Sequence, residues 1–301
     1  MPFWDIWVQR PQTLPLRRGI FLVHRWTGIA IGLYILVLSL SGSLIVYRDE
    51  LSLAFARSPV LVASQGRRLT RAELQQAALQ NFPGYTVTNV FWRPDPRRAA
   101  EITLERGRAH REELFDPYTG ADLGNHFTPS FRALMWLVEL HDNLLLGRTG
   151  RAVSGVGALL FTLIVFTGSV IWWPGLQNWR RSLKIDWHAG PKRLLWTIHS
   201  VVGFWLFLFV LLWAVSGVYL CFPLAFNSVV NFIHPVDPSS DAIRLSDTFF
   251  AALAGAHFGR FGGKFTKTIW VIAGLAPATL FFTGAVMWWN RVLRSSLRRW
   301  E

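Results

Sequence analysis

Four long apolar runs set the frame of this chain. They fall at about Gly28–Tyr47, Ala152–Trp173, Leu194–Phe222 and Thr268–Trp289, and each approaches the roughly 20 apolar residues that a helix needs to cross a hydrocarbon layer. The pattern predicts transmembrane helices over residues 21–47, 152–173, 194–222 and 268–289, with a tail at 1–20, a loop at 174–193 and a second tail at 290–301. Residues 48–129 read differently. Thr70-Arg71-Ala72-Glu73 is a capping box that opens a helix to about Asn81, which Pro83-Gly84 ends. Thr86–Trp92, Ala99–Glu105 and Arg111–Phe115 read as strands, with a turn at Arg106-Gly107 and a closure at Asp116-Pro117-Tyr118-Thr119-Gly120. The result is a small α+β domain with a thin core. Ser130 is expected to cap a helix to about Leu146 that carries Leu134, Leu137, Val138, His141 and Leu145 at helical spacing, within a segment 130–151. Ser246 is expected to cap a second, with Phe250, Leu253 and His257 on one face, within the segment 223–267.

Composition agrees with a membrane protein bearing one modest polar domain: 51% of residues are hydrophobic and the mean hydropathy is +0.29. The net charge of +13 is unevenly spread. The chain to Arg25 carries +3, residues 174–193 carry +4 and the tail from Asn290 carries +3, whereas 48–151 carries +2 and 223–267 carries +1. The positive-inside rule therefore places both termini and the 174–193 loop in the cytoplasm. Charge gathered at membrane edges makes a nucleic-acid partner unnecessary and points to the lipid bilayer instead. The one cysteine, Cys221, excludes an internal disulfide and reads as apolar filling. Gly155-Val156-Gly157 lacks a third glycine and follows no strand, so it is not a dinucleotide fingerprint.

The second half of the chain repeats the first. His24 and His199 are each followed by Gly after 4 residues (Gly28, Gly203) and by Ser-Gly after 17 and 18 (Ser41-Gly42, Ser216-Gly217). Eighteen residues make five turns, which on one straight helix would align His24, Gly28 and Gly42 on one stripe, and His199, Gly203 and Gly217 on another. Such stripes could admit a flat ligand against the backbone. His141 and His257 precede Thr167-Gly168 and Thr283-Gly284 by 26 and 27 residues, and Trp172-Trp173 and Trp288-Trp289 by 31 and 32. Arg148 and Arg151 correspond in the same alignment to Lys264 and Lys267. Two tandem two-helix repeats imply a pseudo-two-fold axis along the membrane normal, with His24 facing His199 at the inner surface and His141 facing His257 at the outer. The tryptophan pairs read as an interfacial belt.

Ionisable side chains at membrane spans are costly and are read as functional by default. The four apolar runs hold no Asp or Glu to complete a proton relay, and a zinc site needs three or four converging ligands. Two neutral imidazoles facing each other suit the axial positions of a low-spin haem iron. Arg25 would then serve the anionic edge of an inner haem, and Arg148, Arg151, Lys264 and Lys267 that of an outer one. His110, His126, His188 and His234 lack the pattern and read as surface residues.

The capped helix, Phe82-Pro83-Gly84 and the Asp116–Gly120 turn resemble a PepSY domain. With the spaced histidines, residues 18–292 are similar to the PepSY-associated transmembrane-helix family, which includes bacterial di-haem reductases of ferric siderophores of the ferrioxamine-reductase kind. The resemblance implies a multi-pass protein of the bacterial inner membrane, with a periplasmic PepSY-like domain and two haem b groups per chain. The chain has no Cys-x-x-Cys-His for covalent attachment. It further implies a membrane oxidoreductase, a ferric-chelate or ferric-siderophore reductase. Such a protein passes electrons from a cytoplasmic reductase or quinol to periplasmic ferric iron, with no catalytic side chain of its own. A non-enzymatic PepSY regulator or anchor is one alternative, and a cytochrome b subunit serving a protein or quinone partner is another.

Overall fold

The computed structural model describes residues 2–55, 60–63, 66–92, 94–107, 109–125, 127–235 and 244–294. His126 and the part of the basic tail beyond residue 294 lie outside the described residues. The chain forms two compact units, one of Met1–Arg48 with Trp136–Glu301 and one of Asp49–Met135.

The first unit is helical. A short helix α1 (Phe3–Gln9) precedes α2 (Pro15–Ala30) and α3 (Gly32–Ile45), and α4 (Arg48–Ala54) carries the chain into the second unit. Pro15 takes the first position of α2, where its missing N–H costs nothing, so the helix begins earlier than the apolar run implies. The 1–20 tail is pinned by Trp173 Nε1 donating to the Trp7 carbonyl at 3.1 Å and by Leu176 N–H donating to the Val8 carbonyl at 3.0 Å.

Among the described residues, two stretches are long and apolar enough to cross a membrane unbroken: α7 (Gly147–Trp172) and the 31 residues Gly263–Leu293, which include α12 (Gly263–Gly274) and α13 (Ala276–Trp288). Two bent pairs bring the total to four if each is one span. These are α2 with α3, bent by 63°, and α8 (Pro191–Trp205) with α9 (Phe207–Cys221), bent by 67°. The breaks lie at Ile31 (φ −107°, ψ 9°) and Leu206 (φ −102°, ψ 10°), both in the sparsely populated bridge region. The 175 residues between His24 and His199 also separate Ile31 from Leu206. The stripe expected to run straight from His24 to Gly42, and from His199 to Gly217, is therefore interrupted in both copies.

Helix α7 packs on α2 and α9, and α13 packs on α8 and α3. Small residues allow the close approaches. A Cβ on Gly157 would stand 2.5 Å from the Tyr34 ring and one on Gly155 2.3 Å from Phe222, so this Gly-x-Gly serves helix contact. Ser39 of α3 inserts into the ladder between α12 and α13. Its hydroxyl donates to the Gly274 carbonyl at 2.5 Å and accepts from Ala278 N–H at 3.1 Å, in place of the direct helical bond.

Several helix boundaries differ from expectation. Thr128, not Ser130, caps α6 (Pro129–Asn143), its hydroxyl accepting from Phe131 N–H at 3.1 Å. The helix stops before Leu146 because Leu144 (φ 53°) and Leu145 (φ 62°) are left-handed. Ser246 caps nothing: α11 (Leu245–Phe258) starts after Arg244, which grips Asp247 at 2.8 Å. An additional apolar helix, α10 (Pro223–Ile233), follows α9.

The second unit carries α5 (Arg71–Asn81) and an antiparallel sheet in the order β1 (Thr86–Phe91), β2 (Ala100–Arg106), β3 (Ala109–Phe115), β4 (Asp122–Gly124). The capping box is formed: Thr70 N–H donates to Glu73 Oε2 at 2.7 Å and Glu73 N–H to Thr70 Oγ1 at 3.3 Å. Leu74 and Ala78 of α5 close over Val90, Ile102, Leu104 and Phe115. In the Asp116–Gly120 turn, Asp116 Oδ1 accepts from Tyr118 N–H at 2.8 Å, and Gly120 (φ 73°) supplies the left-handed residue that aims β4 back along β3.

Candidate functional site

Two pairs of histidines meet in the helical unit. The ring centres of His24 and His199 are 6.3 Å apart with planes at 89°. Those of His141 and His257 are 6.4 Å apart with planes at 59°. A metal–imidazole bond of about 2.0–2.1 Å, with about 1.1 Å from ring nitrogen to ring centre, puts two imidazoles on opposite sides of one metal about 6.2–6.4 Å apart, centre to centre. Among the described residues no group of three or more His, Cys, Asp or Glu could hold a metal ion, so each pair offers two protein ligands.

Each ring is held at Nδ1 by a hydroxyl from another helix. Thr167 Oγ1 of α7 stands 3.2 Å from His24 Nδ1, and Thr283 Oγ1 of α13 stands 2.9 Å from His199 Nδ1. Ser41 Oγ of α3 stands 3.1 Å from His141 Nδ1, and Ser216 Oγ of α9 stands 2.6 Å from His257 Nδ1. The Ile164 carbonyl is also 3.1 Å from His24 Nδ1. Because a carbonyl only accepts, that nitrogen carries the proton and Nε2 keeps its lone pair. The backbone of α11 is fixed as well: Trp270 Nε1 donates to the Ala256 carbonyl at 2.8 Å and Trp213 Nε1 to that of His257 at 3.3 Å. Burial pushes the His257 imidazole down to about 3, and His141 falls from its ordinary value for the same reason. Both are thus neutral at physiological pH, the form that ligates metals.

The glycines divide into two roles. Gly28 and Gly203 line a cavity of 1650 Å³ beside His24 and His199. Gly42 does not serve that cavity. A Cβ there would stand 2.7 Å from Cε1 of His141, so this glycine seats the outer ring. Gly217 faces Ala158, 3.5 Å from an added Cβ. Gly168, which the stripe argument missed, backs His24 at 3.1 Å.

Cationic and polar groups gather around the cavity. Arg25 lines it, as do Arg17, Arg18, Lys192 and Arg291, which were not among the expected site residues. Among the described residues, Arg17 Nη1, Arg25 Nε and the indole N–H groups of Trp172 and Trp288 are buried without a hydrogen-bond partner. All four side chains line the cavity. Around the other pair, Arg148, Arg151 and Lys264 are exposed. Lys267 is buried, with Nζ 5.7 Å above the Tyr47 ring. His110, His188 and His234 are exposed.

The chain matches the PepSY-associated TM region over residues 21–241 and 233–291. It belongs to that family. No curated protein matches it. Membership, with the apolar helices, makes this a multi-pass α-helical membrane protein whose hydrophobic surface meets lipid. As a PepSY-associated TM protein, it places both histidine pairs on helices within or beside its candidate spans.

Proposed function

We propose that this PepSY-associated TM protein is a di-haem b oxidoreductase of the bacterial inner membrane. It passes electrons from a cytoplasmic reductase or quinol to periplasmic ferric iron held by a siderophore or another chelator. One observation carries the reading: two histidine pairs whose ring centres lie 6.3 and 6.4 Å apart, each ring held at Nδ1. That donor set fits a haem iron held between two imidazoles, and the orphaned donors of Arg17, Arg25, Trp172 and Trp288 fit the anionic edge of the same group.

When bound, haem supplies one-electron transfer without proton chemistry. The chain's own residues do the rest. His24 with His199 would hold one haem iron, and His141 with His257 the other. Arg17 and Arg25 would neutralise propionates. The apolar walls of the inner cavity would exclude water. In this reading the helical unit is two tandem two-helix repeats about a pseudo-two-fold axis along the membrane normal, with both termini cytoplasmic and the PepSY-like unit periplasmic. The charge distribution supports that orientation.

The test is an absorption spectrum of the purified protein before and after dithionite, with haem quantified per chain. Two low-spin haem b are expected. A folded, colourless protein from a haem-replete host sinks the proposal.

A further inference from the structure

The hydroxyls that meet the four rings are already occupied on one side. Ser41 Oγ donates to the Val37 carbonyl at 2.7 Å, and Thr167 Oγ1 to that of Leu163 at 2.8 Å. Ser216 Oγ donates to Leu212 at 2.5 Å, and Thr283 Oγ1 to Thr279 at 2.8 Å. A hydroxyl has one proton. With it committed to the carbonyl four residues back, only lone pairs remain for the ring, so each Nδ1 must donate. The Ile164 carbonyl also accepts from the His24 ring. That carbonyl lies three residues before the Thr167 hydroxyl.

A glycine follows each hydroxyl residue. An added Cβ would stand 2.7 Å from Cε1 of His141 at Gly42, 3.1 Å from Cε1 of His24 at Gly168 and 3.4 Å from Cε1 of His199 at Gly284. At these three the dipeptide thus combines an acceptor for Nδ1–H with a surface on which the ring edge lies, whereas at Ser216-Gly217 the hydroxyl alone meets the ring and Gly217 faces Ala158.

We propose that Ser41-Gly42, Thr167-Gly168, Thr283-Gly284 and the Ser216 hydroxyl are positioning elements that fix each histidine as the Nδ1–H tautomer, leave Nε2 bare, and set its strength as an iron ligand. The proposal rests on the reading of these rings as axial ligands. It assigns work to four hydroxyls that a purely structural account treats as helix-bound serines and threonines. Outer partners of this kind orient a ligating imidazole and raise its basicity, and their loss typically costs about 10–100-fold in affinity. A more basic ligand favours the oxidised iron, so losing the acceptor should raise the midpoint potential.

Two measurements on the full-length protein test this. ¹⁵N-histidine NMR of protein from a haem-deficient host reads the tautomer directly. Redox titration and haem retention are then compared for wild type, Thr167→Val, Thr167→Ser, Ser41→Ala and Ser41→Thr. The four rings are expected as Nδ1–H. Thr167→Val should shift one haem's midpoint positively and weaken its retention about tenfold. Ser41→Ala should do the same to the other haem, and the Ser and Thr variants, which keep the hydroxyl, should match wild type. Nε2–H rings overturn the proposal. So does a wild-type midpoint and retention in the Val and Ala variants, or a loss in the hydroxyl-keeping variants equal to theirs. A wild-type chain that binds no haem defeats the functional reading instead, and the NMR spectra still decide the tautomer claim.

Discussion

Gly42→Ala is the sharpest single test of the site, because the structure and the sequence pattern disagree about it. The pattern makes Gly42 and Gly217 equivalent members of two stripes. In the fold an alanine methyl at 42 stands 2.7 Å from His141 Cε1 and 3.2 Å from Nδ1, whereas one at 217 meets only the Ala158 methyl at 3.5 Å. The first contact falls about 0.7 Å short of the 3.4 Å at which ordinary contact begins. The His141 ring has little room to yield, being held by Ser41 on one side and faced by His257 on the other. Overpacking of this kind costs about 1–3 kcal/mol, or roughly 5- to 150-fold in an equilibrium constant. Haem retention through purification and midpoint potentials should therefore show one haem weakened in Gly42→Ala and both intact in Gly217→Ala. Gly168→Ala, at 3.1 Å from His24, should give a milder loss at the other haem. If Gly42→Ala and Gly217→Ala behave alike, the seating of His141 against Gly42 is wrong.

Four further outcomes are expected. His24→Ala and His199→Ala should strip or convert one haem, and His141→Ala and His257→Ala the other; identical spectra for His24→Ala and His141→Ala would refute the pairing. Arg67 hydrogen bonds, with help from Thr70, hold the Glu73 carboxyl at about 2 rather than 4.5. A depressed value stabilises the fold above pH 4.5, and that contribution disappears as pH falls towards 2. Amide protection factors at residues 71–74, corrected for intrinsic exchange, should fall over that window in the wild type and show no such pH step in Glu73→Gln. Ser39→Ala should cost about 1–3 kcal/mol in thermal unfolding by stranding the Gly274 carbonyl and Ala278 N–H, while Ser39→Thr should recover part of it. A reporter fused after Glu301 should be cytoplasmic and one inserted near Arg97 periplasmic; the reverse pattern would invert the proposed electron path.

The elements with strong local periods were legible in the sequence. Thr70 and Glu73 announced α5, and Ile102 and Leu104 announced the buried face of β2. The histidine pairs were legible because both copies keep the same spacing, and the fold does bring those rings together. Strand β4 was not, since three residues ending in glycine carry no alternation and depend on the Asp116 turn for their pairing. Serine at 130 and 246 misled because Pro129, by occupying the first helical position, was the better signal at the former, and the Arg244–Asp247 pair organises the latter. The hydroxyl partners of the rings were visible as repeated Ser-Gly and Thr-Gly pairs, but their role was not. Helical spacing reports which residues share a face, and Ser41 serves a ring that lies 100 residues away on another helix. The bends at Ile31 and Leu206 also have no proline to announce them.

Those bends give each broken span a divided duty. Residues before the break present a histidine to one centre, and residues after it present the seat for a histidine of the other, as His24 and Ser41 do in one copy and His199 and Ser216 in the other. The register between them is therefore fixed by counting, not only by chemistry. Deleting a single residue between Arg25 and Leu40 would turn everything beyond it by about 100° about the helix axis. It would carry Ser41 away from His141 while leaving His24 beside Thr167. Descendants of this gene should accept side-chain replacement in that interval far more readily than any change in its length.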